Sequence, residues 1–391
     1  MIQPADRMRS IPPYVFAELG RRITGLREAG HDVIRMDMGS PDLPPTPDTV
    51  TALIQSAENP NHHGYAPFGG TGGYRRAVAA HYETRFGVSF DPRTEVLGLI
   101  GSKEGLFHIA QAFVNPGDVV LVPDPGYPVY SSSALFAGGE VVTMPLREQN
   151  DYLPDFSALG EDVLERAKLM WLNYPNNPTG ATADLSFFEH AVELASKHGI
   201  LLCHDAPYTE VCYEGYVAPS LMQVAAARET AVEFNSLSKS HNMAGWRLGM
   251  AVGNADVLEA LYTLKSQMDT SHFRAVLDAG EYALRADQSW IQTRNAVYQE
   301  RRDVIVDAVR QAGLSATPPR AALYVWAGLP TGVHSSDAYC RAMLDDIYVS
   351  ITPGVAFGAA GEGYVRISLG TPTELVRQAM ERVAGWRYSG D

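Results

Sequence analysis

The sequence predicts an α/β protein. Its larger unit is a three-layer αβα arrangement around a mostly parallel, seven-stranded sheet, and a smaller α+β unit is drawn from both termini. Three observations predict this. From Glu95 to Gly253, short and continuously apolar runs alternate with segments of helical periodicity, the pattern of strands covered on both faces by crossover helices. Beyond Asn254 the chain turns helical, then closes with two strand-like runs and a last helix, which reads as a second unit. At 391 residues, 46% hydrophobic and 19% charged, the chain is long enough for both and has an ordinary globular composition. The expected division is a large unit at 45–285 and a small unit at 1–44 and 286–391.

In chain order, Pro12-Pro13 precedes a helix running to Gly30, with Val15, Phe16, Leu19, Ile23 and Leu26 on one face and the glycine as its stop. Val33 to Met38 reads as a short strand, and Gly39-Ser40-Pro41-Asp42 as a turn. Asn59 to Gly73 is a Gly/Pro/Asn-rich loop carrying Tyr65 and Phe68, and Tyr74 to Phe86 is helical. The seven apolar runs follow: Val96–Ile100, Val119–Val122, Val141–Met144, Leu169–Leu172, Ile200–Cys203, Val232–Phe234 and Met250–Val252. Ala255–Lys265, Arg274–Arg285 and Trp290–Gly313 read as helices, Ala321–Ala327 and Tyr364–Leu369 as strands, and Glu374–Trp386 as the closing helix.

The net charge of −14 argues against a nucleic-acid or anionic-membrane binder. No run approaches the roughly 18 apolar residues of a membrane span. Met1 to Ser10 lacks an apolar signal segment. Cys203, Cys212 and Cys340 have neither metal spacing nor a disulfide framework. The expected location is the cytoplasm.

In parallel sheets ligands bind beyond the carboxyl ends of the strands, and the chemically pointed residues fall there. Gly101-Ser102-Lys103 sits at a strand–turn–helix junction. Such a junction aims N–H groups and a positive dipole at a phosphate, though Ser102 also suits a simple helix cap. Tyr127, in a Pro/Gly turn, suits stacking on a planar ring or packing on the surface. Asn177, in an irregular Asn/Pro loop, suits donation to a phenolate oxygen or satisfaction of the turn itself. Asp205 ends an apolar strand and needs a cationic partner to stay ionised. A protonated pyridine nitrogen supplies one, and a loop hydrogen bond is the plainer alternative. Tyr208 follows three residues later. Lys239 lies among Ser236, Ser238 and Ser240, with Arg247 eight residues on. A desolvated lysine amine is a nucleophile for an aldehyde, whereas a solvated one is an ordinary turn residue. Arg366, within an apolar strand, suits bidentate binding of a carboxylate or a structural ion pair. Together the pieces fit one ligand, pyridoxal 5′-phosphate, whose usual protein partners are an aldehyde-bonding lysine and a charged group at the ring nitrogen.

The motifs GSKEG (101–105), PGYPVY (125–130), NYPNNPTG (173–180), HDAPY (204–208), SLSK (236–239), GWRLG (245–249) and VRISL (365–369) resemble those of the fold-type I, class I/II aminotransferases over nearly the whole chain. PPYVFAELGRR (12–22) and FVNPGDVVLVPDPGYPVY (113–130) are similar to the LL-diaminopimelate aminotransferase group. The resemblance implies a homodimer with active sites at the interface, acting on a small amino acid and a 2-oxo acid, with 2-oxoglutarate or pyruvate as acceptor. It implies Lys239 as the lysine bonded to the cofactor, Asp205 at the ring nitrogen, Asn177 and Tyr208 at the phenolate oxygen, and Tyr127 on the ring. It implies Ser102, Lys103, Ser236, Ser238 and Arg247 around the phosphate, joined by Tyr65 of the partner subunit. Arg366 would take the substrate α-carboxylate, helped by Asn177 and the Gly39 backbone, and Tyr14 would line the substrate site.

One position departs from that group. A glutamate three residues after the matching tyrosine binds the distal ammonium of diaminopimelate there, and here the position is Phe68. An aromatic ring offers a cation only a π contact of about 0.5–2 kcal/mol. Diaminopimelate, alanine, glutamate, aspartate and aromatic amino acids therefore stand as candidate substrates. His272 and Arg274 are candidate readers of a distal group, or local pairing residues. Two other activities fit the same residues: a β-eliminating C–S lyase, and a regulator that binds the cofactor without catalysis.

Overall fold

The computed structural model describes residues 2–9, 11 and 15–390; Tyr14 lies outside the described residues. The first strand, β1 (Ile34–Arg35), is followed by seven strands that form the central sheet: β2 (Val96–Ile100), β3 (Val119–Asp124), β4 (Glu140–Pro145), β5 (Ala167–Leu172), β6 (Leu201–Asp205), β7 (Ala231–Ser236) and β8 (Leu248–Gly253). Their order across the sheet is β2-β8-β7-β6-β5-β3-β4. Only β8 runs against its neighbours, pairing antiparallel with β2 and β7.

Alternation along these strands explains why they read as unbroken apolar runs. Val119 and Leu121 face a core completed by the helices Gly72–Phe86, Leu185–His198 and Arg274–Arg285. Val120 and Val122 face a core on the other side, completed by Ser102–Phe113, Val129–Ala137 and Ala255–Met268. Each face needs its own apolar set, so both parities are apolar and three layers result. The edge strand β4 is the exception, with only Met144 buried.

The remaining strands are β9 (Ser315–Ala316), β10 (Tyr324–Gly328), β11 (Val349–Ser350), β12 (Thr352–Pro353) and β13 (Tyr364–Ser368). A four-stranded antiparallel sheet, β12-β13-β10-β9, packs with the helices Trp290–Gln311, Ser336–Ile347 and Thr373–Gly385 around a core of its own. Residues from near the N-terminus join this part: β1 pairs parallel with β11, and Ile34 and Met36 lie in the same core. The helix Val15–Glu28 places Ile23, with Leu19 and Leu26, against Val33 and Leu344. No helix among the described residues is long and apolar enough to cross a membrane.

Three expectations are corrected. The strand expected at 33–38 is a ladder only at Ile34–Arg35, because the carbonyl of Asp37 is taken by the side chains of Arg366 at 2.8 Å and Thr352 at 3.3 Å. Ser102 does not cap its helix. Gly101 holds that place at φ 68°, a left-handed value that favours glycine, and Ser102 is the first helical residue. The strand expected from Ala321 starts at Tyr324, since Arg320 and Ala322 pair with the Val211–Tyr213 segment instead and Ala322 has φ 69°.

Candidate active site

Five of the six parallel strands, β2, β3, β5, β6 and β7, each hand a short segment at their shared edge of the sheet to a common cavity. β2 supplies Ser102 and Lys103, β3 Tyr127, β5 Asn177, β6 Asp205 and Tyr208, and β7 Ser236, Ser238 and Lys239. Because β8 runs the opposite way, Arg247, which precedes it, arrives at the same edge. From the antiparallel sheet, β13 adds Arg366 and β10 adds Tyr324, and the turn after β1 adds Gly39. The cavity measures about 380 Å³. Tyr65 is not among its lining residues: it stands 91% exposed on the surface.

Lys239 sits on the one-turn helix Leu237–Ser240, which Ser236 starts by accepting the N–H of Ser238 at 3.1 Å. The far end of that turn is held by buried Arg294, which donates to the carbonyls of Lys239 (3.1 Å) and Ser240. The amine of Lys239 donates to the Gly39 carbonyl. Burial lowers it to about 8, with the charges of Arg366 and Arg247 acting the same way. Arg366, 3% exposed, donates to Asn177 Oδ1 at 2.9 Å and to the Asp37 carbonyl at 2.8 Å. Its guanidinium lies 4.3 Å from the centre of the Tyr324 ring and 4.6 Å from that of Phe357. Asn177 is itself fixed by Asn173, whose Oδ1 accepts its N–H at 2.8 Å while its Nδ2 donates to the Asp205 carbonyl at 2.6 Å. Tyr208 and Tyr324 share a hydrogen bond of 2.8 Å between their hydroxyls.

The ends of the cavity carry opposite charge. At one end Asp205, 4% exposed, accepts from the Tyr130 hydroxyl at 2.7 Å through Oδ2, while Oδ1 is buried without a hydrogen-bond partner among the described residues. Burial pushes this carboxyl up to about 6, against the Tyr130 hydrogen bond and the charges of His204 and Lys239. An unmatched buried carboxylate oxygen calls for a cationic N–H. At the other end the Arg247 guanidinium bonds neutral oxygens, Ser238 Oγ at 3.5 Å and the Ala244 carbonyl at 2.8 Å. The Lys103 amine is held low by burial and by the nearby Arg247, and lies 5.5 Å from the Tyr127 ring centre. A Cβ at Gly101 would run into the Arg247 guanidinium. This polarity fits pyridoxal phosphate, which carries a basic ring nitrogen, an aldehyde and a phosphate, with a buried carboxylate, an amine and two further cations present in one cavity.

Residues 31–383 match the family described as aminotransferase class I and II. The chain belongs to the class I and II aminotransferases. Among its relatives, an LL-diaminopimelate aminotransferase of Moorella thermoacetica is 48% identical, the match covering 98% of each chain. Two solved structures share the fold closely. Substrate-bound BacF from Bacillus subtilis has a TM-score of 0.95 and 36% identity, covering 98% of both chains. A probable N-succinyldiaminopimelate aminotransferase from Thermus thermophilus has a TM-score of 0.89 and 40% identity, covering 95% of this chain and 99% of that one. The protein is therefore a pyridoxal-phosphate-dependent enzyme, and its substrates are small amino and 2-oxo acids.

Several side chains of the aminotransferase site escaped the sequence reading. Tyr130 holds Asp205 and stacks on Trp171, ring centres 4.8 Å apart. It lies three residues after Tyr127, one helical step, and that spacing was the available signal. Tyr324 and Phe357 gave no signal, since an aromatic in an apolar stretch reads as core. Behind the aminotransferase site, on the other face of β6 from Asp205, His204 Nδ1 meets Glu233 at 2.9 Å, both fully buried. His272 and Arg274 pair locally. His272 Nε2 donates to the Arg247 carbonyl at 2.6 Å, and Arg274 Nε lies 3.4 Å from Asp278 Oδ2.

Proposed function

We propose that this aminotransferase takes the α-amino group of a diaminopimelate-type L-amino acid and passes it to a 2-oxo acid, 2-oxoglutarate or pyruvate, as a cytoplasmic homodimer with shared active sites. The observation that carries the reading is one cavity lined by the amine of Lys239, the guanidinium of Arg366 and the carboxylate of Asp205. The names of the relatives support the substrate class. The division at 45–285 against 1–44 and 286–391 follows the same reading: the first part holds the cofactor and the second brings Arg366 to it.

Bound pyridoxal phosphate supplies an aldehyde for amines and a ring that draws electrons from the substrate Cα. The chain's own residues do the rest. Asp205 faces the ring nitrogen and keeps it protonated. Asn177 and Tyr208 donate to the phenolate oxygen, and Tyr127 covers the ring. Ser102, Lys103, Ser236, Ser238 and Arg247, with Tyr65 of the partner subunit, hold the phosphate. Arg366 grips the substrate carboxylate beside Asn177 and Gly39, which fixes the direction of the Cα–H bond, and Tyr14 lines the substrate side. Burial lowers Lys239 Nζ to about 8, so it releases its proton more readily than an exposed lysine. Freed from the aldehyde, it is the group placed to take the Cα proton and to hold it for return, base and then acid.

Phe68 favours a second reading of the substrate, in which the side chain is uncharged at its far end. A stopped-flow half-reaction decides between them. LL-diaminopimelate, L-glutamate, L-alanine and L-phenylalanine are each mixed with the enzyme while the cofactor absorbance is followed. Fastest conversion by diaminopimelate supports the first reading; preference for alanine or phenylalanine supports the second. Lys239→Ala is expected to abolish turnover together with the absorbance of lysine-bound cofactor. A fully active Lys239→Ala protein sinks the assignment, and pyruvate and ammonia formed without any oxo-acid acceptor point to elimination instead.

A further inference from the structure

Tyr324 touches both halves of the site with different parts of one side chain. It sits on β10, paired in register with Ser368, two residues along β13 from Arg366, so Tyr324 and Arg366 rise from the same face of the antiparallel sheet. The guanidinium of Arg366 lies over the tyrosine ring at 4.3 Å, within cation–π range. At the far end of that ring, the hydroxyl meets the Tyr208 hydroxyl at 2.8 Å, the two rings lying edge to face at 5.6 Å and 76°. Tyr324 is 2% exposed and Tyr208 4%, so the bond is largely shielded from bulk solvent. Gly39 makes the contact possible. A Cβ there would collide with the Tyr324 hydroxyl, and the same glycine's carbonyl receives the Lys239 amine.

We propose that Tyr324 is a positioning residue with two separable duties: its ring seats Arg366 for the substrate carboxylate, and its hydroxyl sets the Tyr208 hydroxyl as a donor to the cofactor's phenolate oxygen. The proposal rests on the cofactor placement given under Proposed function. The physics separates the duties. A ring beneath a buried guanidinium orients it through the π face and needs no hydroxyl. A hydroxyl that accepts a hydrogen bond becomes a stronger donor in turn, and this requires the oxygen of Tyr324. Tyr324→Phe removes the second duty alone, and Tyr324→Leu removes both.

Two readouts on the cofactor-loaded protein test this. The first is the pH midpoint of the lysine-bound cofactor absorbance. The second is the ratio of rates at which aminooxyacetate and O-methylhydroxylamine consume that absorbance. Both probes form an oxime with the cofactor aldehyde and release the Lys239 amine, but only aminooxyacetate bears a carboxylate for Arg366. Tyr324→Phe is expected to raise the midpoint by about half to one pH unit, the value of one hydrogen bond, and to keep the rate ratio within about twofold of wild type. Tyr324→Leu is expected to shift the midpoint likewise and to lower the ratio by about 2- to 30-fold. Where the Leu variant does not fold, the midpoint of the Phe variant decides alone. A Phe variant with the wild-type midpoint, or one that loses the carboxylate preference as fully as the Leu variant, overturns the proposal. Wild-type protein that shows no lysine-bound cofactor absorbance overturns the placement on which it rests.

Discussion

At the scale of single residues, the site is built from groups that would be unfavourable there on their own. Asp205 is raised by burial to about 6 and Lys239 lowered by burial to about 8, so each charge costs stability until a ligand meets it. The cofactor-free protein exposes that cost. Between pH 4 and 6 the unfolded chain loses the Asp205 proton while the folded chain keeps it, so stability falls as pH rises through that window. A shift of roughly two units corresponds to about 3 kcal/mol. Lys239 acts in the other direction. Between pH 8 and 10.5 the unfolded chain keeps a proton that the folded chain has lost, so stability rises with pH, by about 2 kcal/mol given that the side chain is only partly buried. Urea unfolding of cofactor-free protein across pH should show both slopes, with Asp205→Asn removing the acid one and Lys239→Met the alkaline one. An unchanged acid slope in Asp205→Asn would mean that another carboxyl carries it. The same mismatch made these residues legible in the sequence. An aspartate, a lysine or an arginine inside or beside an apolar strand calls for explanation, whereas Tyr130 and Tyr324 in such surroundings do not. Their hydroxyls acquire meaning only from partners distant in sequence, Asp205 and Tyr208.

At the scale of elements, position is set by turns too short to have periodicity. The strand–turn–helix around Gly101 was legible, but its cap was not, since Ser102 suits a cap by composition and only the backbone angle gives that place to glycine. Gly101→Ala puts a Cβ at φ 68° and against the Arg247 guanidinium. It should cost about 1–2 kcal/mol of stability and weaken cofactor binding by about tenfold or more, as read by equilibrium dialysis. Binding equal to wild type would show that Arg247 does not need its present position. The lysine turn depends on an element from farther along the chain. Arg294, on the helix Trp290–Gln311, donates to the carbonyls of Lys239 and Ser240 and to that of Glu210, two residues after Tyr208. Arg294→Met takes this donor from the Lys239 and Ser240 carbonyls, while Glu210 keeps the Asn295 amide at 2.9 Å, and is expected to cost about 2–4 kcal/mol in thermal or urea unfolding. No local pattern marks this arginine, because apart from the neighbouring Asn295 side chain its acceptors are backbone carbonyls at positions 210, 239 and 240.

At the scale of the whole molecule, the alternation of apolar runs and helices was enough for the three-layer sheet, because double-sided burial leaves a mark on every residue of a strand. The strand order, and the reversal of β8 that carries Arg247 to the shared edge, left no such mark. Those are fixed by pairing between segments far apart in sequence. Assembly is also beyond a single chain's periodicity, yet the surface bears on it. Tyr65 stands 91% exposed, Phe273 (44%) has its ring centre 5.5 Å from that of His63, two residues before Tyr65, and Met268 (61%) is exposed at the end of the helix Ala255–Met268, apolar area of the kind that association covers. If Tyr65 serves the phosphate of the other subunit, two crippled chains can repair each other. Lys239→Ala chains lack the essential amine, and Tyr65→Ala chains bind cofactor weakly. In a mixed dimer one site combines an intact Lys239 with the intact Tyr65 of the partner subunit, and the other site carries both defects. Unfolding and refolding an equal mixture makes half the dimers mixed, so roughly a quarter of all sites should be whole. At cofactor concentrations that leave the Tyr65→Ala protein largely empty, activity should therefore rise well above that of either variant refolded alone. Activity no higher than the average of the two parents would place Tyr65 in the service of its own chain, and the shared site would fall with it.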